Sequence, residues 1–182
     1  MLGAKDKPGA AEVSLLLAGA AKTIGSARYC WLVTAAEDSF ANLRPMGRLL
    51  HDADEDEWTI RFITDGRSRK AADMRRASGV AIIVQREPDD AFVTLIGKAT
   101  LCDGESEARE RWKDALDLSC RSGFQCLDPY FPSEPDRANA IFVKVDIERM
   151  ELWIRGVTPE PFGLRATVLE RDAGCGWRVI SR

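Results

Sequence analysis

With 182 residues, 45% of them hydrophobic and 30% charged, the chain has the makeup of one soluble domain with a real core and is too short to hold two comfortably. A formal net charge of -3 gives no general attraction to nucleic acid or to an anionic membrane, so any anion site must be local. Five scattered cysteines (Cys30, Cys102, Cys120, Cys126 and Cys175), with no CxxC pair and His51 as the single histidine, argue against a zinc site.

The first element is helical. Val13, Leu16, Leu17, Ala20 and Ile24 recur with the spacing of an amphipathic helix that packs on a core. The same stretch, VSLLLAGAA after two lysines, has some of the look of an export signal, but Asp6, Pro8 and Glu12 interrupt it. No run approaches the length needed to span a membrane, so the expected location is the cytoplasm, with reduced thiols. Strand-favouring residues then fill 29–34, 42–50 and 58–64. The acidic run HDADEDE at 51–57 lacks the turn glycine and spaced ligands of a calcium loop and reads as a solvated hairpin tip.

A short helix is expected over 67–77, with Ala71 and Met74 inward, Arg75 and Arg76 suited to its C-terminal dipole, and Gly79 after its end. Residues 80–85 and 91–102 read as strands, and Gly97 inside the second marks either a bulge or the close approach of another backbone. Helical period returns at 105–119, the proline-bearing 121–139 stretch reads as a loop, and 141–147 and 150–154 read as two further strands. Residues 165–170 and 176–180 fit a terminal hairpin. Strands in such excess over helices, without regular alternation, exclude a doubly wound parallel sheet and favour a mostly antiparallel barrel with peripheral helices.

Three constellations carry chemistry. In FITDGRSRK, residues 62–70, Thr64 ends a strand, Asp65 and Gly66 turn the chain, and Ser68 can cap a helix that begins with Arg69 and Lys70. Cations at a helix start oppose its dipole, so they are either well solvated or compensated by an anion such as a phosphate held by hydroxyl, amide, guanidinium and ammonium donors together. In LRPMGRLL, residues 43–50, the period of a strand puts Arg44, Met46 and Arg48 on one face, and Pro45 implies an edge or bulged position. Trp153 in MELWI is either core or a platform for a flat ring. Triads, GxGxxG loops and Walker loops are missing, which excludes the common hydrolase and nucleotide fingerprints.

Taken in order, RPM at 44–46, FITDGRSRKAADM at 62–74, VTLIGKATL at 93–101 and MELW at 150–153 resemble the pyridoxamine 5'-phosphate oxidase-like FMN-binding split barrels. The nearest branch resembles the bacterial general stress protein subfamily. The resemblance implies a six-stranded antiparallel Greek-key split β-barrel at residues 26–154, preceded by a helix within 1–25 and followed by an extension with a β-hairpin at 155–182. It implies a homodimer with one FMN in each of two clefts at the subunit interface. Carried over by residue, Arg44 and Met46 lie along the isoalloxazine and ribityl chain, Thr64 contacts the flavin, Ser68, Arg69 and Lys70 hold the phosphate, and Trp153 adds to the flavin site.

Two departures bear on activity. The true oxidases carry an Arg-x-His pair after the tryptophan, whereas this chain reads Pro161, Phe162, Gly163, Leu164 there. Phe92 stands about where those oxidases place a flavin-contacting glutamine. The resemblance thus implies an FMN-binding oxidoreductase-like protein, reducing a flavin or small acceptor with NADH or NADPH, but not a pyridoxamine phosphate oxidase. The alternative is a flavin-binding stress protein without turnover, a buffer or sensor. A deazaflavin or haem in the same barrel is a third reading, and His51 alone in an acidic loop makes a poor haem ligand.

Overall fold

The computed structural model describes residues 9–37, 40–48, 58–102, 133, 138–172 and 176–181. The 51–57 loop with His51, the 105–119 helix and most of the 121–139 loop lie outside them. Within them the elements run α1 (Ala10–Ser26), β1 (Tyr29–Ala35), β2 (Ala41–Gly47), β3 (Thr59–Asp65), α2 (Arg69–Arg76), β4 (Gly79–Arg86), a 3-10 turn (Glu87–Asp89), β5 (Ala91–Cys102), β6 (Ala140–Ile154), β7 (Thr167–Arg171) and β8 (Trp177–Ser181). The described strands join in the order β2-β1-β4-β5-β6-β7-β8, and β3 pairs with β6. The pairs β1–β2, β1–β4, β3–β6, β6–β7 and β7–β8 are all antiparallel. The described residues hold eight strands rather than the six expected, because the terminal hairpin joins the same sheet.

The chain divides into two units, and β4, β5 and β6 each contribute a segment to both. One unit comprises residues 28–83 and 96–147. In it, β1 alternates strictly: Cys30, Leu32 and Thr34 are buried while Tyr29 and Trp31 face outward. β2 stands at the end of the described strand order, with Trp31 opposite Pro45, which suits a residue that has no N–H to give a further strand. β3 is buried on both faces, with Ile60, Phe62, Ile63 and Thr64 all inaccessible, as expected of a strand with core on either side. α2 begins at Arg69 rather than at 67, because Ser68 has extended dihedrals and caps it; Ala71 and Met74 are buried, as their spacing predicts.

The other unit comprises residues 1–27, 84–95 and 148–182. α1 buries Leu16, Ala20, Thr23 and Ile24. The Gly19 Cα lies close under Val157, where an added Cβ would stand 3.0 Å from Cγ1. The hairpin β7–β8 pairs Glu170 with Arg178 across the strands, and their side chains form an ion pair at 2.8 Å. No described helix is long and apolar enough to cross a membrane.

One expectation is corrected. Residues 141–147 and 150–154 are a single continuous strand, β6. Its main buried face changes phase: Ile141, Val143, Val145 and Ile147 are buried at odd positions, with Phe142 buried on the opposite face, then Met150, Leu152 and Ile154 at even ones. The change of phase looks like a break in a sequence, but no turn residue stands there and the backbone runs on. It coincides with the passage from one unit to the other at residue 147.

Gly97 answers the question its position raised. A Cβ built there would overlap the carbonyl oxygen of Asp146 and stand 3.0 Å from the Cα of Ile147. The obstacle is backbone in β6, which cannot rotate aside as a side chain could. Gly97→Ala is therefore expected to lower stability by about 2 kcal/mol or more, by urea unfolding at neutral pH; an unchanged midpoint would mean that the two strands can separate freely at this point.

Candidate functional site

The turn after β3 is built from its own short-range polar contacts. Asp65 accepts from the amide of Arg67 at 2.7 Å and from Nη2 of the same residue at 2.7 Å, and the amide of Ser68 closes the turn on the Asp65 carbonyl at 3.0 Å. This pairing, with Arg67 as the first cause, holds the Asp65 carboxyl below the usual range. Gly66 donates its amide to the carbonyl of Asn139 at 2.7 Å, and its own carbonyl accepts from Nη1 of Arg75 at 2.7 Å. Ser68 Oγ accepts from the amide of Ala71 at 3.4 Å, the N-cap contact, and lies 3.4 Å from the hydroxyl of buried Thr64.

The outcome is a sorting of the cations. Arg67 is bound back to Asp65, Arg75 to Gly66 and Arg76 to the carbonyl of Ala35. The side chains of Arg69 and Lys70 make no hydrogen bond or ion pair among the described residues, while the first amides of α2 have no acceptor within their own helix. With Asn42, Leu43, Arg44 and Ser68 they line an open cleft of about 270 Å³. Burial, and next the nearby Arg44, push the Lys70 ammonium below its usual pKa, with Asp65 acting the other way. A half-buried ammonium facing another cation is relieved by an anion, and a phosphate ester supplies charge and acceptors together. The residues present fit such a group.

Behind the cleft lies a group the sequence does not announce. Asp73, on α2 and only 5% exposed, accepts on Oδ2 from Thr34 Oγ1 at 2.8 Å, Asn42 Nδ2 at 2.9 Å and Arg44 Nη2 at 3.2 Å. Arg44 Nη2 also donates to Thr34 Oγ1 at 3.0 Å, and Arg76 lies 3.7 Å from Asp73 Oδ1. Burial alone would raise this carboxyl's pKa; the hydrogen bonds from Thr34, Asn42 and Arg44 outweigh it and leave the group below its ordinary value.

Of the residues expected to form a site, Arg44, Ser68, Arg69 and Lys70 come together in the cleft, with Thr64 against Ser68. Met46 shares the inward face of β2 with Arg44 but is buried at 8% exposure, its carbonyl accepting from the Cys30 thiol at 3.6 Å. Burial pushes that thiol up to about 11, against the pull of Arg48, so it stays protonated at neutral pH. Trp153 is half-buried on β6 and belongs to the other unit. Sequence reasoning missed Asn42 and Leu43 in the cleft and Thr34 and Asp73 behind it. Asn42 was within reach, since it stands two residues before Arg44 on one strand face. Among the described residues no group of three His, Cys, Asp or Glu side chains is placed to hold a metal ion.

A mostly antiparallel β fold with two described helices, and a cation-lined cleft between β2 and the start of α2, defines the class by its fold: it is a split barrel. The chain belongs to the family described as Pyridoxamine 5'-phosphate oxidase like, which matches residues 18–158. Among solved structures it is similar to a Clostridium acetobutylicum protein related to general stress protein 26 of B. subtilis (14% identity, TM-score 0.63, covering 87% of this chain and 95% of that one). It is also similar to a pyridoxamine 5'-phosphate oxidase-related, FMN binding protein from Nostoc punctiforme (17% identity, TM-score 0.62, covering 98% and 100%). General Stress Protein 26 from Bacillus anthracis is a third (15% identity, TM-score 0.52, covering 77% and 92%). No curated protein matches the sequence.

The Asp73 cluster makes a pH-dependent contribution to stability. A carboxyl whose folded pKa lies below its unfolded value, about 3.9, stabilises the fold above that pH, and the contribution is lost as pH falls through the folded pKa. Asp73→Asn, which leaves Arg44 with no buried counter-charge, is expected to cost about 3 kcal/mol at pH 7. The gap between wild type and variant should narrow on acidification below about pH 4. Urea unfolding of both proteins at pH 7 and pH 3 measures it, and a gap independent of pH would remove the carboxylate from the explanation.

Proposed function

We propose that the chain binds FMN, with the phosphate in the cleft between β2 and the start of α2, and acts as an FMN-dependent oxidoreductase. The observation that carries the reading is the convergence of Ser68, Arg69 and Lys70 on one cleft beside Arg44, the side chains of Arg69 and Lys70 having no ion-pair partner among the described residues. Family membership and the Nostoc relative, described as FMN binding, support it. In this reading Ser68, Arg69 and Lys70 hold the phosphate. Arg44 runs from the ribityl chain to the phosphate, Met46 borders the ribityl chain and the ring, and Thr64 contacts the flavin or supports Ser68. The flavin, when bound, supplies the redox chemistry, while the chain's residues bind, orient and tune it.

The partner in this reading is a second copy of the chain, with the flavins at the interface. The outward face of β1 and β2 supports it: Trp31 lies opposite Pro45 and Val33 opposite Leu43, and Tyr29, Trp31, Leu43 and nearby Phe40 are 40 to 75% exposed. Contiguous apolar surface of this kind marks an interaction site, and Leu43 carries it to the rim of the cleft. A cytoplasmic location fits the two free cysteines among the described residues, Cys30 and Cys102. Oxidation of pyridoxamine phosphate is not expected. The one histidine is His51, and in the segment after Trp153 the ring of Phe162 lies 4.5 Å under the guanidinium of Arg155, which is itself paired to Asp90 at 2.6 Å.

Replacing Arg69 and Lys70 together by alanine is expected to weaken FMN roughly a hundredfold, as loss of two charge-assisted contacts requires. Flavin fluorescence titration measures it, and unchanged affinity would remove the phosphate from this cleft. FMN should also raise the melting temperature of the wild type. Addition of NADH or NADPH to the loaded protein tests turnover: bleaching of the flavin bands followed by acceptor-dependent reoxidation is the expected result. Unchanged absorbance would overturn the catalytic part and leave a flavin buffer or sensor.

A further inference from the structure

The buried carboxylate behind the cleft has no obvious reason to be there for the sake of packing. Its helix neighbours Ala71 and Met74 are 0% and 2% exposed, and an apolar side chain between such neighbours generally stabilises a fold as well as a buried ion pair does. What the carboxylate does have is a set of donors drawn from the cleft itself. Asn42 and Arg44 both line the cleft and both bond to Oδ2 of Asp73, while Thr34 bonds to Asp73 and to Arg44 at once.

The geometry of Arg44 is the decisive point. Nη2 is committed inward, to Asp73 at 3.2 Å and Thr34 at 3.0 Å. Nε and Nη1 make no hydrogen bond among the described residues, and the side chain is 18% exposed on the cleft wall. A long, flexible arginine fixed at one nitrogen loses most of its rotamer freedom before any ligand arrives, so a ligand does not have to order it.

We propose that Asp73 is a positioning residue for the phosphate of the bound flavin. It clamps Nη2 of Arg44 so that the remaining nitrogens of the guanidinium are held ready at the cleft, and Thr34 completes the clamp. This deepens the FMN reading and rests on it. The carboxylate also offsets the charge of Arg44, which leaves Arg69 and Lys70 as the cations that match the dianion. Asp73 acts through Arg44 and does not touch the ligand, so its removal should be felt by the phosphate and not by the ring.

Parallel fluorescence titrations with FMN and with riboflavin, which lacks the phosphate, test this on the full chain. Asp73→Asn is expected to lower the preference for FMN over riboflavin about tenfold, the order of one charge-assisted hydrogen bond, with riboflavin affinity within about twofold of wild type. Thr34→Val, which keeps both charges and the side-chain shape, should produce a smaller shift in the same direction and decides the matter if Asp73→Asn does not fold. In an Arg44→Ala background, Asp73→Asn should change the preference no further. Equal weakening of both flavins, no weakening of either, or an undiminished effect without Arg44 would overturn the proposal. A wild type with no preference for FMN would instead bring down the phosphate reading of the cleft, and this inference with it.

Discussion

A carboxylate taken out of water must be surrounded by donors, and that requirement at Asp73 organises the whole neighbourhood of the cleft. The donors come from β1 and β2, so the charge on α2 fixes where those strands stand relative to the helix. This matters most for β2. It ends the described strand order, and Leu43 and Pro45 on its outward face are exposed, so its hold on the fold is the ladder to β1 and the inward side chains Asn42, Arg44 and Met46. Two of those three answer to one carboxylate.

The same neighbourhood settles a crowding of charge. Arg44 stands on β2, while Arg67, Arg69, Lys70, Arg75 and Arg76 follow one another along the turn and α2, and left alone these cations would repel. The fold engages most of them locally. Arg67 braces the turn through Asp65, Arg75 ties α2 to Gly66, and Arg76 reaches the end of β1. What is left over is small and well aimed, a guanidinium and an ammonium beside a hydroxyl at a helix start. Cations left over in this way are what a chain of net negative charge has to offer an anion.

Much of this was legible in the sequence, for identifiable reasons. Strand alternation is a local signal, so β1, β4 and β5 fall where the pattern of Leu32, Ile82 and Leu95 puts them, while β3 is marked by its run of strand-favouring residues. The cleft was half legible because Thr64 to Lys70 are neighbours in the chain and Arg44 shares a face with its i±2 residues. Thr34 and Asp73 were not, since a polar residue gives no sign of burial until its partners, 39 residues apart in this pair, are known. β6 was misread because a change of buried face mimics a chain break. At Gly97 composition left two explanations, and only the distance to the Asp146 carbonyl decides between them.

The change of face in β6 has a consequence for how the family's sequences can drift. β6 buries mainly odd residues up to Ile147 and even ones from Met150, with the change of phase at Glu148 and Arg149. Adding or losing a single residue on either side would turn one whole arm of the strand inside out, presenting Lys144 or Glu151 to a core. An insertion is therefore best tolerated at the ends of β6, as in the turn that follows Ile154, and worst in its interior, where side chains can change but their count cannot.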